Sequence, residues 1–181
     1  MARSDVIAAA AREFAQRGYH ATSIENLLAA TGLTRGGLYH YIEGKHDLLI
    51  AVQQELLAPL LARAREAADQ HDEPDAKLRA VVREWVRHVE THRDHMVVFA
   101  AERRLVESDP RWADIRRQRE RFEALLDEVL DSDALARLAL LGMVNHMPTW
   151  YRPDGPLSAT EIADRFVDLL LSGARTPPAQ A

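Results

Sequence analysis

The sequence predicts an all-α fold of about nine helices, and three observations predict it. Apolar residues recur with helical spacing through nearly every segment, as at Ile7, Ala10, Ala11 and Phe14. Helix start and stop signals punctuate those stripes, with Gly18 and Gly32 as stops and Ser158 three residues before Glu161 as a start. No stretch alternates apolar and polar residues as a half-buried strand does.

The elements follow in order. The first helix ends at Gln16-Arg17-Gly18, with a basic residue in its last turn. Thr22 and Glu25 have capping-box spacing for a short second helix whose apolar face is Ile24, Leu27 and Leu28. Gly32 closes that helix, and only Leu33 separates it from Thr34, an N-cap for a third. Two short helices joined by so tight a turn cross steeply, which is helix-turn-helix geometry. A long helix begins near Lys45, with a kink or break expected at Pro59. The polar run "QHDEPD" is a linker. From Ala76 to about His92, the residues Leu78, Val81, Val82, Trp85, Val86 and Val89 form one apolar face. Asp109 and Pro110 start another helix with a basic polar side, "RRQRER"; "DSD" at 131–133 caps the next, and Ser158 with Glu161 the last. The expected organisation is a helix-turn-helix head at 1–47, a helical body at 48–173, and a loose tail at 174–181.

Composition narrows the function. The chain has 181 residues, 47% hydrophobic and 28% charged, a globular balance. Without cysteine there is neither a disulfide framework nor a thiolate metal site, and the expected compartment is the cytoplasm. No apolar run reaches the ~20 residues of a membrane span. The net charge of −5 argues against attachment to nucleic acid by bulk charge. Within residues 1–47, five basic side chains (Arg3, Arg12, Arg17, Arg35, Lys45) balance five acidic ones (Asp5, Glu13, Glu25, Glu43, Asp47). Such a head binds DNA tightly only in two copies or through good groove contacts.

The stretch "TRGGLYHYIEGKHDLL" supplies groove contacts. The second helix of a helix-turn-helix enters the major groove with its N-terminal residues near base edges. Gly36 and Gly37 there let the backbone come close, and Arg35 is the natural reader of guanine. Tyr39, His40 and Tyr41 offer hydroxyl and imidazole groups to phosphates, and Lys45 offers a charge. Leu38 and Ile42 would anchor the helix to Phe14, Ile24 and Leu28.

The segment "ATSIENLLAATGLTRGGLYHYIEGKHDLL" resembles the DNA-binding domain of the TetR family of bacterial transcriptional regulators. It matches at Thr22, Gly32, Leu38, Tyr39, Tyr41 and Lys45, and departs at Ile42, where the family usually has phenylalanine. The resemblance implies a homodimer on a palindromic operator, usually a repressor, released by a small molecule. By family position Thr22, Tyr39, Tyr41 and Lys45 would touch phosphates, while Arg35, Gly36 and His40 face bases or the groove edge.

In the body, the last two long helices carry more apolar residues than a monomer surface tolerates. Leu138, Leu141, Gly142, Ile162, Phe166, Leu169 and Leu170 are the expected dimerisation residues. The segment from "LLGMVNHMPTWYRPDG" onward resembles TetR-type regulators of fatty-acid and sterol catabolism, which commonly end this helix in Trp-Tyr-Arg-Pro-x-Gly and respond to acyl-coenzyme A thioesters. His146 stands where those relatives often place tryptophan. Trp85, His88, Phe99, Arg103, Arg104, Asn145, His146, Trp150 and Arg152 are the expected ligand-binding residues, the arginines as cradles for phosphate. The alternative is a metal sensor or metal-dependent enzyme, because His88, His92 and His95 fall at i, i+4, i+7 if helix continues through them. No nucleophile elbow, phosphate loop or paired-carboxylate arrangement points to an enzyme, and no cofactor is expected.

Overall fold

The computed structural model describes residues 2–102 and 109–174. Among them the chain forms nine α-helices and one 3₁₀ turn: α1 Arg3–Arg17, α2 Ile24–Thr31, α3 Arg35–Tyr39, α4 Lys45–Asp69, α5 Pro74–Thr91, α6 Arg93–Ala101, the 3₁₀ turn Pro110–Trp112, α7 Ala113–Val129, α8 Ala134–Trp150 and α9 Ala159–Ala174. The all-α expectation holds. No helix among the described residues is long and apolar enough to cross a membrane.

The chain divides into two compact units. The first comprises residues up to Ala58 together with His92–Arg119. Its core joins the α1 stripe Ile7, Ala10, Ala11 and Phe14 to Leu27, Leu38 and Ile42, and to Leu48, Leu49 and Val52 from α4. Val98 of α6, Trp112 and Ile115 complete it. Gly32 closes α2 at φ 69°, a left-handed conformation in which a side chain is strained. Asp109 caps the 3₁₀ turn, its carboxylate accepting from the Arg111 amide at 2.9 Å.

The second unit comprises Pro59–Thr91 and the residues from Glu120 on. The apolar face of α5 (Leu78, Val81, Val82, Trp85, Val86, Val89) is buried as its spacing predicts, and α5 packs on both α8 and α9. Polar pairs fix that packing. Arg83 grips Asp164 of α9 with two hydrogen bonds, of 2.7 and 2.8 Å, and Arg79 reaches Asp168 at 2.7 Å. These guanidinium contacts hold the Asp164 carboxyl below its ordinary range. Asp133 caps α8 by accepting from Leu135 and Ala136, and Ser158 with Glu161 forms the expected capping box of α9.

One expected helix boundary is corrected, and at a second the break is absent. The cap of α2 is Ser23, which exchanges side-chain and backbone hydrogen bonds with Asn26, and not Thr22 with Glu25. At Pro59, α4 continues without a break. Proline removes one backbone bond and crowds the preceding turn, but Pro59 lies on the exposed side while Leu56, Leu57 and Leu60 are buried around it.

His95 is buried in the first unit, its Nε2 4.0 Å from Glu55 and its ring edge-on to His92. Burial, and then the neighbouring His92, push its imidazole down to about 4. A depressed histidine leaves the folded chain binding fewer protons than the unfolded chain, so stability falls as pH drops from about 6.5 to about 4 and levels off below. His95→Gln should flatten that limb relative to wild type, by up to about 1.4 kcal/mol per pH unit. Glu55, raised by its own burial, acts in the opposite sense in both proteins. Urea unfolding at pH 7, 5.5 and 4.5 checks this, and parallel pH profiles for the two proteins would sink it.

Candidate nucleic-acid interface

Helices α2 and α3 and the start of α4 place most of the head's expected contact residues on one continuous stretch of chain. Thr34 caps α3, its hydroxyl accepting from the Gly37 amide at 3.1 Å. The helix is short, Arg35–Tyr39, and His40 forms its C-cap. Leu38 is fully buried and Ile42 nearly so, packed with Phe14 and beside Ile24 and Leu28 as expected. With those anchors inside, Arg35, Gly36, Tyr39 and His40 are exposed, while Gly37 and Tyr41 are half-buried. A methyl group added at Gly36 would meet nothing in the chain, so the absent side chain there leaves clearance toward the outside. Tyr39 is 44% exposed, unusual for a ring that packing would otherwise claim.

Sequence reasoning missed three features here. Arg35 is not free: its guanidinium donates to Glu25 of α2 at 2.5 Å, with both side chains exposed. An exposed pair of this kind is worth less than about 1 kcal/mol. Lys45 is committed inward. Its ammonium donates to the carbonyls of Tyr19 and Thr22, both at 2.8 Å, and lies 4.5 Å over the Tyr19 ring. Thr22 is 1% exposed, and its hydroxyl donates to the Gly18 and Glu13 carbonyls. Both residues were expected at phosphates; here they tie the loop between α1 and α2 to the start of α4. The glycine-threonine spacing and the distant lysine carried no sequence signal for that clamp. The depression lined by Tyr39, His40 and Tyr41 also contains the acidic residues Glu43 and Asp47.

The residues expected to bind ligand fall in both units. Trp85 is buried edge-on against Phe122, and His88 is buried with its Nδ1 2.5 Å from Arg63. Phe99 belongs to the other unit, where Arg119 lies over its ring. Arg103 and Arg104 lie outside the described residues. Asn145 is half-buried, and His146, Trp150 and Arg152 are exposed, with Trp150 packing on Phe166. The Trp-Tyr-Arg-Pro-x-Gly stretch has a structural reason. Tyr151 is buried and donates to Glu90 at 2.5 Å, a bond that with burial lifts its hydroxyl to about 12. Gly155 donates to the Arg152 carbonyl at 3.0 Å in a turn where a methyl group would stand 2.9 Å from that oxygen.

The histidine alternative loses its geometric premise. Helix α5 stops at Thr91 and α6 starts at Arg93, with His92 at φ −119°, ψ 38° between them. The i, i+4, i+7 register is therefore broken, and among the described residues no three His, Cys, Asp or Glu side chains are grouped to hold a metal.

Of the expected dimerisation residues, Leu138 and Leu169 are 60% and 65% exposed, Gly142 is exposed, and Leu141, Phe166 and Leu170 are half-buried. Ile162 is instead buried within the chain's own core. The exposed face of α8 (Leu135, Leu138, Ala139, Gly142, His146, Thr149, Trp150) carries no Asp, Glu, Lys or Arg.

Comparison with known proteins agrees with this arrangement. Residues 6–52 match the family model "Bacterial regulatory proteins, tetR family", and residues 71–174 match "Tetracyclin repressor-like, C-terminal domain". The chain is 26% identical to the HTH-type transcriptional repressor KstR2 of Mycobacterium tuberculosis over 94% of its own length and 92% of that protein's. The crystal structure of the TetR family regulator PfmR from Thermus thermophilus superposes with a TM-score of 0.83 at 30% identity, covering 94% of this chain and 99% of that one. The structure of AibR in complex with isovaleryl coenzyme A and operator DNA superposes with a TM-score of 0.78 at 25% identity, over 92% and 96% of the two chains.

Proposed function

The chain belongs to the tetR family of bacterial regulatory proteins, and from that premise we propose that it is a repressor that binds a palindromic operator as a homodimer and leaves it when a small molecule binds. Its relatives are transcriptional regulators and not enzymes. The observation that carries the reading is α3 itself: a capped helix anchored by Leu38, with clearance at Gly36 and with Arg35, Tyr39 and His40 turned outward. Arg35 reads bases and Tyr39, His40 and Tyr41 meet the groove walls. Thr22 and Lys45 act behind them by fixing the loop that holds α2. The uncharged outer face of α8, with Leu169 of α9, supports pairing between two chains. A dimer restores the affinity that one electrically neutral head lacks.

An acyl-coenzyme A thioester is the effector class this reading favours. AibR was crystallised with isovaleryl coenzyme A and operator DNA. Calorimetry against coenzyme A thioesters and free acids tests the effector; binding only to small aromatic or cationic compounds would count against it. Arg35→Ala tests the operator reading. It should cost about 1–3 kcal/mol on the operator and relax base preference at one position of each half-site, read by fluorescence anisotropy on operator and scrambled duplexes. A uniform loss on both duplexes would assign Arg35 to phosphate instead. The protein acts in the cytoplasm on this reading, where its operator lies.

A further inference from the structure

The one charged side chain of α3 is held by an acid that lies outside that helix. Among Arg35–Tyr39 only Arg35 carries a formal charge. Its Nη2 donates to Glu25 Oε1 at 2.5 Å, across ten residues of sequence and the turn between α2 and α3. The two side chains are 61% and 66% exposed, so their pairing adds little to stability. As an acid in the first turn Glu25 suits the dipole of α2, a benefit that an acid elsewhere in that turn would give equally. It also opposes DNA, because the first helix of a helix-turn-helix crosses the phosphate backbone, where a carboxylate is repelled. Neither stability nor attraction to DNA accounts for Glu25.

The geometry gives it a use. The Glu25 carboxyl is held below the ordinary carboxylate range first by its own backbone amide and the Ser23 hydroxyl, and only then by Arg35. Ser23 is itself fixed as the cap of α2, exchanging hydrogen bonds of 2.9 and 3.1 Å with Asn26. The carboxylate is therefore a fixed post, and the arginine stem is the movable part. A guanidinium carries five N–H donors on a rigid fork with two bidentate edges, Nε with Nη2 and Nη1 with Nη2. Nη2 contributes one hydrogen to each edge, and Glu25 takes one of them. Whichever it takes, the other edge keeps both donors, which is what guanine O6 and N7 require. Arg35 can thus read a guanine without leaving Glu25.

We infer that Glu25 is a positioning residue for base reading: it stays bound to Arg35 on the operator and directs the free edge of the guanidinium to a guanine instead of a phosphate. The pair is electrically neutral. It therefore weakens the contact with phosphate, which rests on charge, more than the contact with guanine, which rests on two directed hydrogen bonds. Simple competition would work the other way. If Arg35 had to leave Glu25 in order to bind, the loss at the operator would be at least as large as on other DNA, and discrimination would not rise. The inference rests on the reading of Arg35 as the base-contacting residue, and adds the residue that decides what Arg35 contacts.

The test uses the full chain with Glu25→Ala, Glu25→Gln, Arg35→Ala and the double variant Glu25→Ala/Arg35→Ala. Anisotropy is read on the palindrome selected from random DNA, on versions changed at each half-site position in turn, and on a scrambled duplex, at several salt concentrations. Glu25→Ala should bind the scrambled duplex at least threefold more tightly, with a slope of log affinity against log salt steeper by about 1 per head. It should also lose at least fivefold in preference for guanine at the position that Arg35→Ala relaxes. Glu25→Gln keeps an acceptor for Nη2 and should restore most of that preference. In the Arg35→Ala background, Glu25→Ala should leave base preference unchanged. A structural role alone would lower the Tm and weaken every duplex alike, and that result overturns the inference. So does an unchanged guanine preference in Glu25→Ala, or a change of equal size with and without Arg35. If Arg35→Ala itself relaxes no position, the parent reading of Arg35 falls and takes the inference with it.

Discussion

Leu138→Glu combined with Leu169→Glu is expected to leave each chain folded, make the protein monomeric, and lower operator affinity by at least a hundredfold. Both leucines are mostly exposed in the single chain, at 60% and 65%, so neither carboxylate is forced into its own core. Burying a leucine against a partner is worth about 1.5–3 kcal/mol, and two-fold symmetry counts each position twice. Glutamates there lose that gain and bring like charges together across the axis. The affinity loss follows from linkage: two heads joined in one molecule gain about 10²–10⁴ over one head through effective concentration. Sedimentation velocity gives the mass, circular dichroism the fold, and anisotropy the affinity. A double variant that stays dimeric with unchanged affinity would place the partner surface elsewhere.

Lys45→Met is expected to lower the stability of the protein by about 2–3 kcal/mol and to weaken operator binding without changing its salt dependence. The lysine ammonium makes charge-assisted hydrogen bonds to the carbonyls of Tyr19 and Thr22, with His20 at 3.4 Å as a third acceptor. Methionine keeps the length of the stem and the packing on the Tyr19 ring but leaves those carbonyls unpaired. The loop between α1 and α2 then loosens, and with it the seat of α2 behind α3. A phosphate contact has a different signature, because its loss reduces the slope of log affinity against log salt by about 1. Urea unfolding and salt titrations of wild type and variant separate the two roles. An unchanged Tm with a reduced slope would return Lys45 to the DNA backbone.

How much of this was legible in the sequence depended on how local the cause was. Thr34, Asp133 and the Ser158–Glu161 box all cap the helices their spacing announces, because a cap is decided within four residues. The stripes of α1 and α5 are buried residue by residue for the same reason. Thr22 and Ser23 show where that stops. Both are hydroxyl residues beside one helix start, and the choice fell to Ser23 because the Thr22 hydroxyl is taken by carbonyls at Gly18 and Glu13. Lys45 is harder still, since its acceptors lie more than twenty residues back along the chain. The three histidines failed as a set on one backbone fact, the interruption at His92. Gln53 gave no signal at all: in "LLIAVQQELL" it reads as one more polar position, and only the fold shows it enclosed.

Selection of double-stranded DNA from a random pool by the full-length protein tests the central claim most directly. The predicted result is an enriched palindrome whose two half-sites are spaced for two copies of α3 entering the major groove on one side of the duplex. Enrichment of a single asymmetric site, or no enrichment over input, would contradict it.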